Sequence, residues 1–359
     1  MNKITEREKE LLKIIQNDPM ISQEDLAEMV GITRSATAVH ISNLIKKGFI
    51  LGRGYVLNEK TGVLVIGPVY AEVQASPRQG DEGSASIEIA PGGAGYLIAR
   101  HLSAQNVRTS IMSVTGRDDW GEIIGQKLRR ENVDTKYMIV QKAYPTPRLI
   151  NLTEQGINQT RTVSDCRALG QLTRDKLQSM GVTISNCRML VVDTGIPADT
   201  VKYVLNLARE ADIPVCLKFS DENIGALGAL ELNGLSMVVM TGALAERLAK
   251  SRIRDLEDGI NTAKALNSLG AKVVVVVLPD QGVVLTGPKE PVTVPILPGQ
   301  EDHGNPRLLS IDVLTAGLVS GILHGHDYRQ SIRLGLGMAN QWAGKSRNLS
   351  ELQEKQQKM

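Results

Sequence analysis

Between Met29 and Asn58 the chain carries four basic residues, Arg34, Lys46, Lys47 and Arg53, and no acidic one. Cations with no carboxylates among them suit the neutralisation of phosphates along duplex DNA. Arg34, Ser35 and Thr37 stand at the start of a helical stretch, with His40 one turn further on. Those are the positions from which a reading helix reaches base edges. Other groups offer less. Gly92-Gly93-Ala94-Gly95 could cradle a ligand or simply turn a strand into a helix. Asp118 and Asp119 precede a helical stretch at Trp120, where carboxylates serve as caps. His324 and His326 flank a glycine at a helix end and read as solvated, and Asp302-His303 reads as an incidental acid–histidine pair in a loop. Cys166, Cys187 and Cys216 lie far apart with no CxxC pair, which excludes a disulfide framework and fits a reducing compartment.

The basic stretch needs a scaffold, and residues 1–58 supply its signals. Thr5 and Glu8 have capping-box spacing, and Leu11, Leu12, Ile14 and Ile15 give the first helix an apolar side. Ser22 caps a second helix carrying Leu26, Ala27 and Met29; Gly31 makes a turn. Thr33 caps a third helix to about Lys47, with Ala38, Ile41, Leu44 and Ile45 at helical spacing. Two β-prone pieces follow, Phe49–Leu51 and Tyr55–Leu57, joined by Gly52-Arg53-Gly54. Helices, a glycine turn and a terminal hairpin make an all-α winged helix-turn-helix. The stretch ISQEDLAEMVGITRSATAVHISNLIKKGFILGRGYVL also resembles the winged helix of bacterial regulators of the Lrp and MarR types. A helical protein-interaction domain is the alternative.

The whole chain has 359 residues, room for two or three domains. Its 42% hydrophobic content argues for a globular fold, and a net charge of +2 excludes a uniformly basic nucleic-acid coat. Aromatic content of 3% speaks against a stacking platform for single strands. The longest apolar run, Val273 to Leu278, suits a buried strand and not a membrane span, and the charged N-terminus is no signal peptide, so a cytoplasmic protein is expected. From 62 to 345 apolar strands alternate with helices. Val63–Ile66, Thr109–Val114, Met189–Asp193, Val215–Lys218, Met237–Met240 and Val273–Leu278 read as core strands. Helical patterns lie between, as at Tyr96–Gln105, Trp120–Glu131, Asp199–Glu210 and Asp258–Leu269. That alternation predicts a parallel sheet covered on both faces. The more polar pieces near 70–90 and 138–164 predict a small accessory sheet. The polar segment 346–359 reads as a tail.

Four stretches, APGGAGYLIARHLSAQNV, SVTGRDDWGEIIGQKLRRENVDT, VVDTGIPADTVKYVLNLAREADIPV and SIDVLTAGLVSGILHG, resemble the PfkB family of sugar and nucleoside kinases over nearly all of 62–345. TVSDCRALGQLT is similar to a segment after the lid in the pseudouridine-kinase-like subgroup, some of which also carry an N-terminal winged helix. The resemblance implies an α/β, ribokinase-like three-layer α/β/α domain with a small β lid. It implies that Asp312 occupies the place of the catalytic base, within the family pattern D-T-x-G-A-G-D-x-F-x-A-G. It also implies that Tyr70, Glu72, Gly92, Gly93, Tyr96 and Asp165 lie about the substrate cleft. The chain departs from the family at the chemistry. Leu309 and Ile311 replace glycines whose backbone would approach phosphate. Tyr70 and Glu72 replace the sugar-binding N-x-D, and Gly242 and Ala245 replace the N-x-x-E that supports metal and phosphate. Pro279 replaces a nucleotide-side glycine. No GxxxxGK[ST] loop offers another route to ATP.

These observations point to a transcriptional regulator with a degenerate, pseudokinase-like domain that senses a small sugar or nucleoside. Its partners would be double-stranded DNA, the effector and a second copy of the chain in a homodimer; no membrane and no cofactor or metal are implied. The alternative is an ATP-dependent sugar or nucleoside kinase of pseudouridine type, using Asp312 as base. ATP and Mg²⁺ enter only there. A third reading is a scaffold whose winged helix binds protein.

Overall fold

The computed structural model describes residues 4–18, 21–50, 62–77, 85–153, 160–178, 184, 187–220, 232–279, 281–296 and 310–357. The chain divides into two compact units, Met1–Thr61 and Gly62–Met359.

In the first unit three helices form: α1 (Glu6–Asn17), α2 (Gln23–Val30) and α3 (Arg34–Lys46). Each start is capped as its sequence requires. Thr5 and Glu8 close a reciprocal capping box, Ser22 accepts from the Asp25 amide, and Thr33 accepts from the Ala36 amide. Each such cap contributes about 1 kcal/mol. Gly31 ends α2 at φ 68°, a left-handed conformation that a side chain would oppose. Leu11, Ile15, Leu26, Val30, Ile41, Leu44 and Ile50 form the core. Ala38 and Ile45, expected on the apolar side of α3, are exposed instead, and Thr37 is the buried residue of that turn. Thr37 tolerates burial because its hydroxyl donates to the Thr33 carbonyl. The stretch after Ile50 expected to form a hairpin, with Arg53, lies outside the described residues.

The second unit is built on fourteen strands and eight α-helices among the described residues. In chain order the strands are β1 (Val63–Ile66), β2 (Tyr70–Pro77), β3 (Ala85–Gly92), β4 (Thr109–Met112), β5 (Val114–Gly116), β6 (Ile139–Gln141), β7 (Arg148–Thr153), β8 (Thr160–Asp165), β9 (Met189–Asp193), β10 (Val215–Lys218), β11 (Met237–Thr241), β12 (Val274–Leu278), β13 (Gly282–Thr286) and β14 (Val292–Pro295). The helices are α4 (Ala94–Ala104), α5 (Asp119–Arg130), α6 (Arg174–Gln178), α7 (Ala198–Glu210), α8 (Gly242–Ala249), α9 (Leu256–Asn267), α10 (Ile311–Leu323) and α11 (Tyr328–Gln357). The main sheet runs β14-β13-β12-β11-β10-β9-β1-β4. It is parallel from β4 to β12; β13 and β14 add antiparallel at one edge, because β12 returns through a tight turn and not through a helix.

Both faces of the sheet are covered, and strand parity shows how. Leu64, Leu190, Val192, Leu217 and Val276 face the core holding α7 and α9 residues such as Val204 and Leu266. Val65, Val191, Cys216 and Val275 face the other core, with Ile98, Leu128, Val313 and Ile332 from α4, α5, α10 and α11. This is the three-layer α/β/α fold. Burying each such Val or Leu stabilises by about 1.5–3 kcal/mol. The stretch 109–114, expected as one strand, divides at Ser113: β4 joins the main sheet and β5 pairs with β6. The accessory sheet forms as expected, in the order β3-β2-β7-β8. No element ends at residue 345, because α11 runs on to Gln357 through the expected tail. Among the described residues no helix is long and apolar enough to cross a membrane.

Candidate functional site

Parallel strands aim their carboxyl ends at a ligand where strand order reverses. Here β1 is flanked by β4 and β9, and the chain winds outward in opposite directions from it. Asp193 ends β9 and Lys218 ends β10, side by side in register. By parity both side chains lie on the Val191 and Cys216 face, which α10 covers. Ser310 caps α10 by accepting from the Val313 amide, and Asp312 sits in the helix's first turn. The consequence is a buried ion cluster. Lys218 Nζ stands 3.0 Å from Asp193 Oδ2 and 2.8 Å from Asp312 Oδ1. The Lys218 side chain is 7% exposed, Asp193 0% and Asp312 18%. Ser220 accepts from Lys218 (2.9 Å) and donates to Asp193 (2.8 Å), while the Gly195 amide donates to the second Asp193 oxygen (2.8 Å). Burial pushes the Lys218 pKa down, but the carboxylates of Asp193 and Asp312 outweigh it and hold the ammonium above its ordinary value. Sequence reasoning named both strands but neither of these end residues. The available signal was a charged residue closing each apolar run.

The accessory sheet places a second carboxylate group opposite. Glu72 on β2 accepts from Asn151 on β7 (3.0 Å), and Asn151 accepts from Thr162 on β8 (2.8 Å). Burial raises the Glu72 carboxyl pKa, opposed by hydrogen bonds from Gln74 and Asn151, while the charges of Asp312 and Glu88 add to the rise. Glu72 and Asp312 therefore lie within electrostatic range of each other. Gly92 gives Glu72 its place: a Cβ there would fall within bonding reach of the Glu72 carboxylate. Gly93 takes φ 93° at the start of α4 and packs against Pro68 and Tyr70. The space left by the two glycines is thus filled largely by the chain itself.

Other expected residues go elsewhere. Tyr96 is 3% exposed in the apolar core of α4, not in the cleft, because helical parity turns it inward. Burial, and the Glu131 charge, push its hydroxyl to about 12. Asp165 shares a sheet row with Ala71 and Arg148 but is bound by Arg167 (2.7 Å), which holds its carboxyl down at about 2. Gly242 and Ala245 on α8 are buried in the apolar core, Gly242 directly under Leu278. Asp118 caps α5 through the Gly121 amide (2.9 Å) and also accepts from the Thr146 amide (2.8 Å). Ile311 is helical, whereas Leu309 and the Asp302-His303 pair lie outside the described residues.

In the helical unit the expected DNA residues also separate. Arg34, Ser35 and Lys46 are exposed and His40 is half-buried. Thr37 is buried and cannot reach a base. Lys47 is bound at 2.6 Å to Glu8, which is 1% exposed, so it serves the fold and not phosphate. Val39 on α3 is 60% exposed. Periodicity pointed past it to Ala38 and Ile45.

The model of the pfkB family of carbohydrate kinases matches residues 60–301, and that of winged helix-turn-helix DNA-binding domains matches residues 4–50. The uncharacterized sugar kinase YeiI of Escherichia coli (strain K12) is 27% identical over 340 residues, covering 93% of this chain and 92% of that protein. Among solved structures, Arabidopsis thaliana ribokinase complexed with ribose and ATP aligns with a TM-score of 0.66 at 19% identity, over 78% of this chain and 91% of that one. Thermotoga maritima ribokinase aligns with a TM-score of 0.64 at 18% identity, over 78% and 91%. Those two likenesses extend the ribokinase fold to this chain. The chain therefore belongs to the pfkB family of carbohydrate kinases and carries an N-terminal winged helix-turn-helix domain.

Proposed function

We propose that the protein is a DNA-binding transcriptional regulator whose PfkB unit binds a small sugar or nucleoside and dimerises, without transferring phosphate. One observation carries this reading: Asp312, the residue in the place of the family's base, is tied to a buried ammonium that Asp193 also holds. One of its two oxygens, Oδ1, already faces a cation. Two further features support it. Gly242 and Ala245 bury apolar surface where the family pattern has metal-supporting polar groups, and Ile311 presents a β-branched side chain where the pattern has glycine. ATP and Mg²⁺ do not fit these residues. Losing one preorganised donor at a transfer site costs on the order of 10²–10³ in rate.

The test has two arms. ADP release from ATP–Mg²⁺ with a panel of sugars and nucleosides is expected to stay at background. Fluorescence anisotropy with duplex DNA is expected to show salt-dependent binding, and Lys46→Ala should reduce the slope of log K against log salt by about 1. ADP release that Asp312→Asn abolishes would establish the second reading, a sugar or nucleoside kinase. That reading is favoured by the retained Asp312 in the first turn of α10 and by the sugar-kinase designation of the Escherichia coli relative.

The dimer has its own support. Across the accessory sheet Ile89, Val73, Ile150 and Val163 stand in one row, and Ile87, Ala75 and Leu152 in the next. Glu72, Gln74, Glu88, Asn151 and Thr162 occupy the other parity and hence the opposite face. Ile87 is 64% exposed and Val163 50%. A contiguous apolar sheet face in water is an association surface, and a second copy covers it symmetrically. Ile89→Glu with Ile150→Lys is expected to halve the mass seen by light scattering. An unchanged mass would place the contact elsewhere.

A further inference from the structure

The side of α3 opposite its core is a single stripe. Thr37, Ile41 and Leu44 point inward, and Ser35, Val39, Ser42 and Lys46 recur at i, i+4, i+7 and i+11 on the far side, all exposed. Arg34 opens the helix, and no acidic residue lies anywhere on it. A cationic end and two hydroxyls suit a polar partner. A large aliphatic side chain in the middle of such a face, 60% exposed, has no role toward phosphate. In the major groove only one base carries an apolar group at its edge, the C5-methyl of thymine.

We propose that Val39 is a specificity-determining residue that reads a thymine methyl, flanked by the hydroxyls of Ser35 and Ser42 and anchored by Lys46 on the backbone. The inference rests on the DNA-binding reading above and sharpens it. The groove-facing stripe is then selective for methyl-bearing steps and not for guanine, whose edge calls for a basic side chain at that position.

The full chain should be used to select its preferred duplex from a random pool. Each thymine is then replaced singly by deoxyuridine, which removes the methyl and nothing else. At one position per half-site, replacement is expected to weaken wild-type binding about fourfold, the value of one buried methyl. In Val39→Ala that same replacement should be silent. In Val39→Thr, which keeps a γ-methyl and most of the shape, the penalty should persist; Val39 lies outside the core, so circular dichroism melts of both variants should match wild type. If the chain binds duplex but every deoxyuridine is silent, or the penalty survives undiminished in Val39→Ala, the assignment of Val39 is overturned and DNA binding stands. If the wild-type chain selects no duplex, both the assignment and the DNA-binding reading fail. Binding to single strands or RNA alone has the same consequence.

Discussion

Lys218→Met is expected to destabilise the PfkB unit by about 3–5 kcal/mol, the cost of leaving a buried charge without its partner. For a unit spanning Gly62–Met359 that lowers the melting temperature by roughly 5–8 °C. The reason is the geometry of Asp193, which is 0% exposed, and Asp312, both within 3.0 Å of the ammonium that methionine removes. Lys218→Met with Asp193→Leu and Asp312→Leu should recover most of the loss, because an apolar replacement of a whole buried cluster is close to neutral. The dependence on pH separates the charge from the packing. The folded-state pKa of Lys218 is raised, so its contribution is fully present below the ordinary lysine value, about 10.4, and is lost only as pH rises through the folded-state value. The wild type should therefore keep this contribution throughout pH 6–9. A gap below 1 kcal/mol would mean that the cluster is solvated and does not hold Asp312.

Lys47→Ala is expected to cost the helical unit about 3 kcal/mol, while Lys46→Ala one residue earlier costs almost nothing in stability. Lys47 closes the ion pair with Glu8 at 2.6 Å, and Glu8 is 1% exposed and also accepts from the Thr5 amide at 2.7 Å. Burial pushes the Glu8 pKa up, but the Lys47 and Thr5 hydrogen bonds outweigh it and lower the value. The sign follows. A lowered carboxyl pKa gives stability that is present above the ordinary value, about 4.3, and lost as pH falls through the folded-state value. Hydrogen exchange of residues 4–50 in the full chain would read both variants. Lys47→Ala should accelerate exchange throughout α1 and α3, and Lys46→Ala should leave it unchanged. Equal protection in the two variants would return Lys47 to the surface.

Local signals were legible wherever short-range chemistry decides. Thr5, Ser22 and Thr33 read as caps because a cap involves only the next three residues, and all three accept the expected amides. Met189–Asp193 and Val215–Lys218 read as strands because unbroken apolar runs have no stable place outside a covered sheet. On α3 the same logic misplaced Ala38 and Ile45. A helix whose polar residues are mostly Ser, Thr and Asn carries little contrast between its faces, so the inward side is set by which face meets α2.

Residue type and order were enough to show that this chain alternates strands and helices after a basic, acid-free helix, and the family resemblance implied that glycines and polar groups of a PfkB transfer site are replaced at Leu309, Ile311, Gly242 and Ala245. Those are statements about residue type and order, which need no third dimension. What became of the charges depended on the packed fold. Asp193 and Lys218 are 25 positions apart and Asp312 a further 94, yet register between β9 and β10 and the cover of α10 bring both carboxylates within 3.0 Å of the ammonium. The same holds for Lys47, which looked like a phosphate contact beside Lys46 until the fold set Glu8, 39 positions away, against it. A lysine's role depends on whether a carboxylate waits for it in the interior, and strand parity, helix facing and burial determine that.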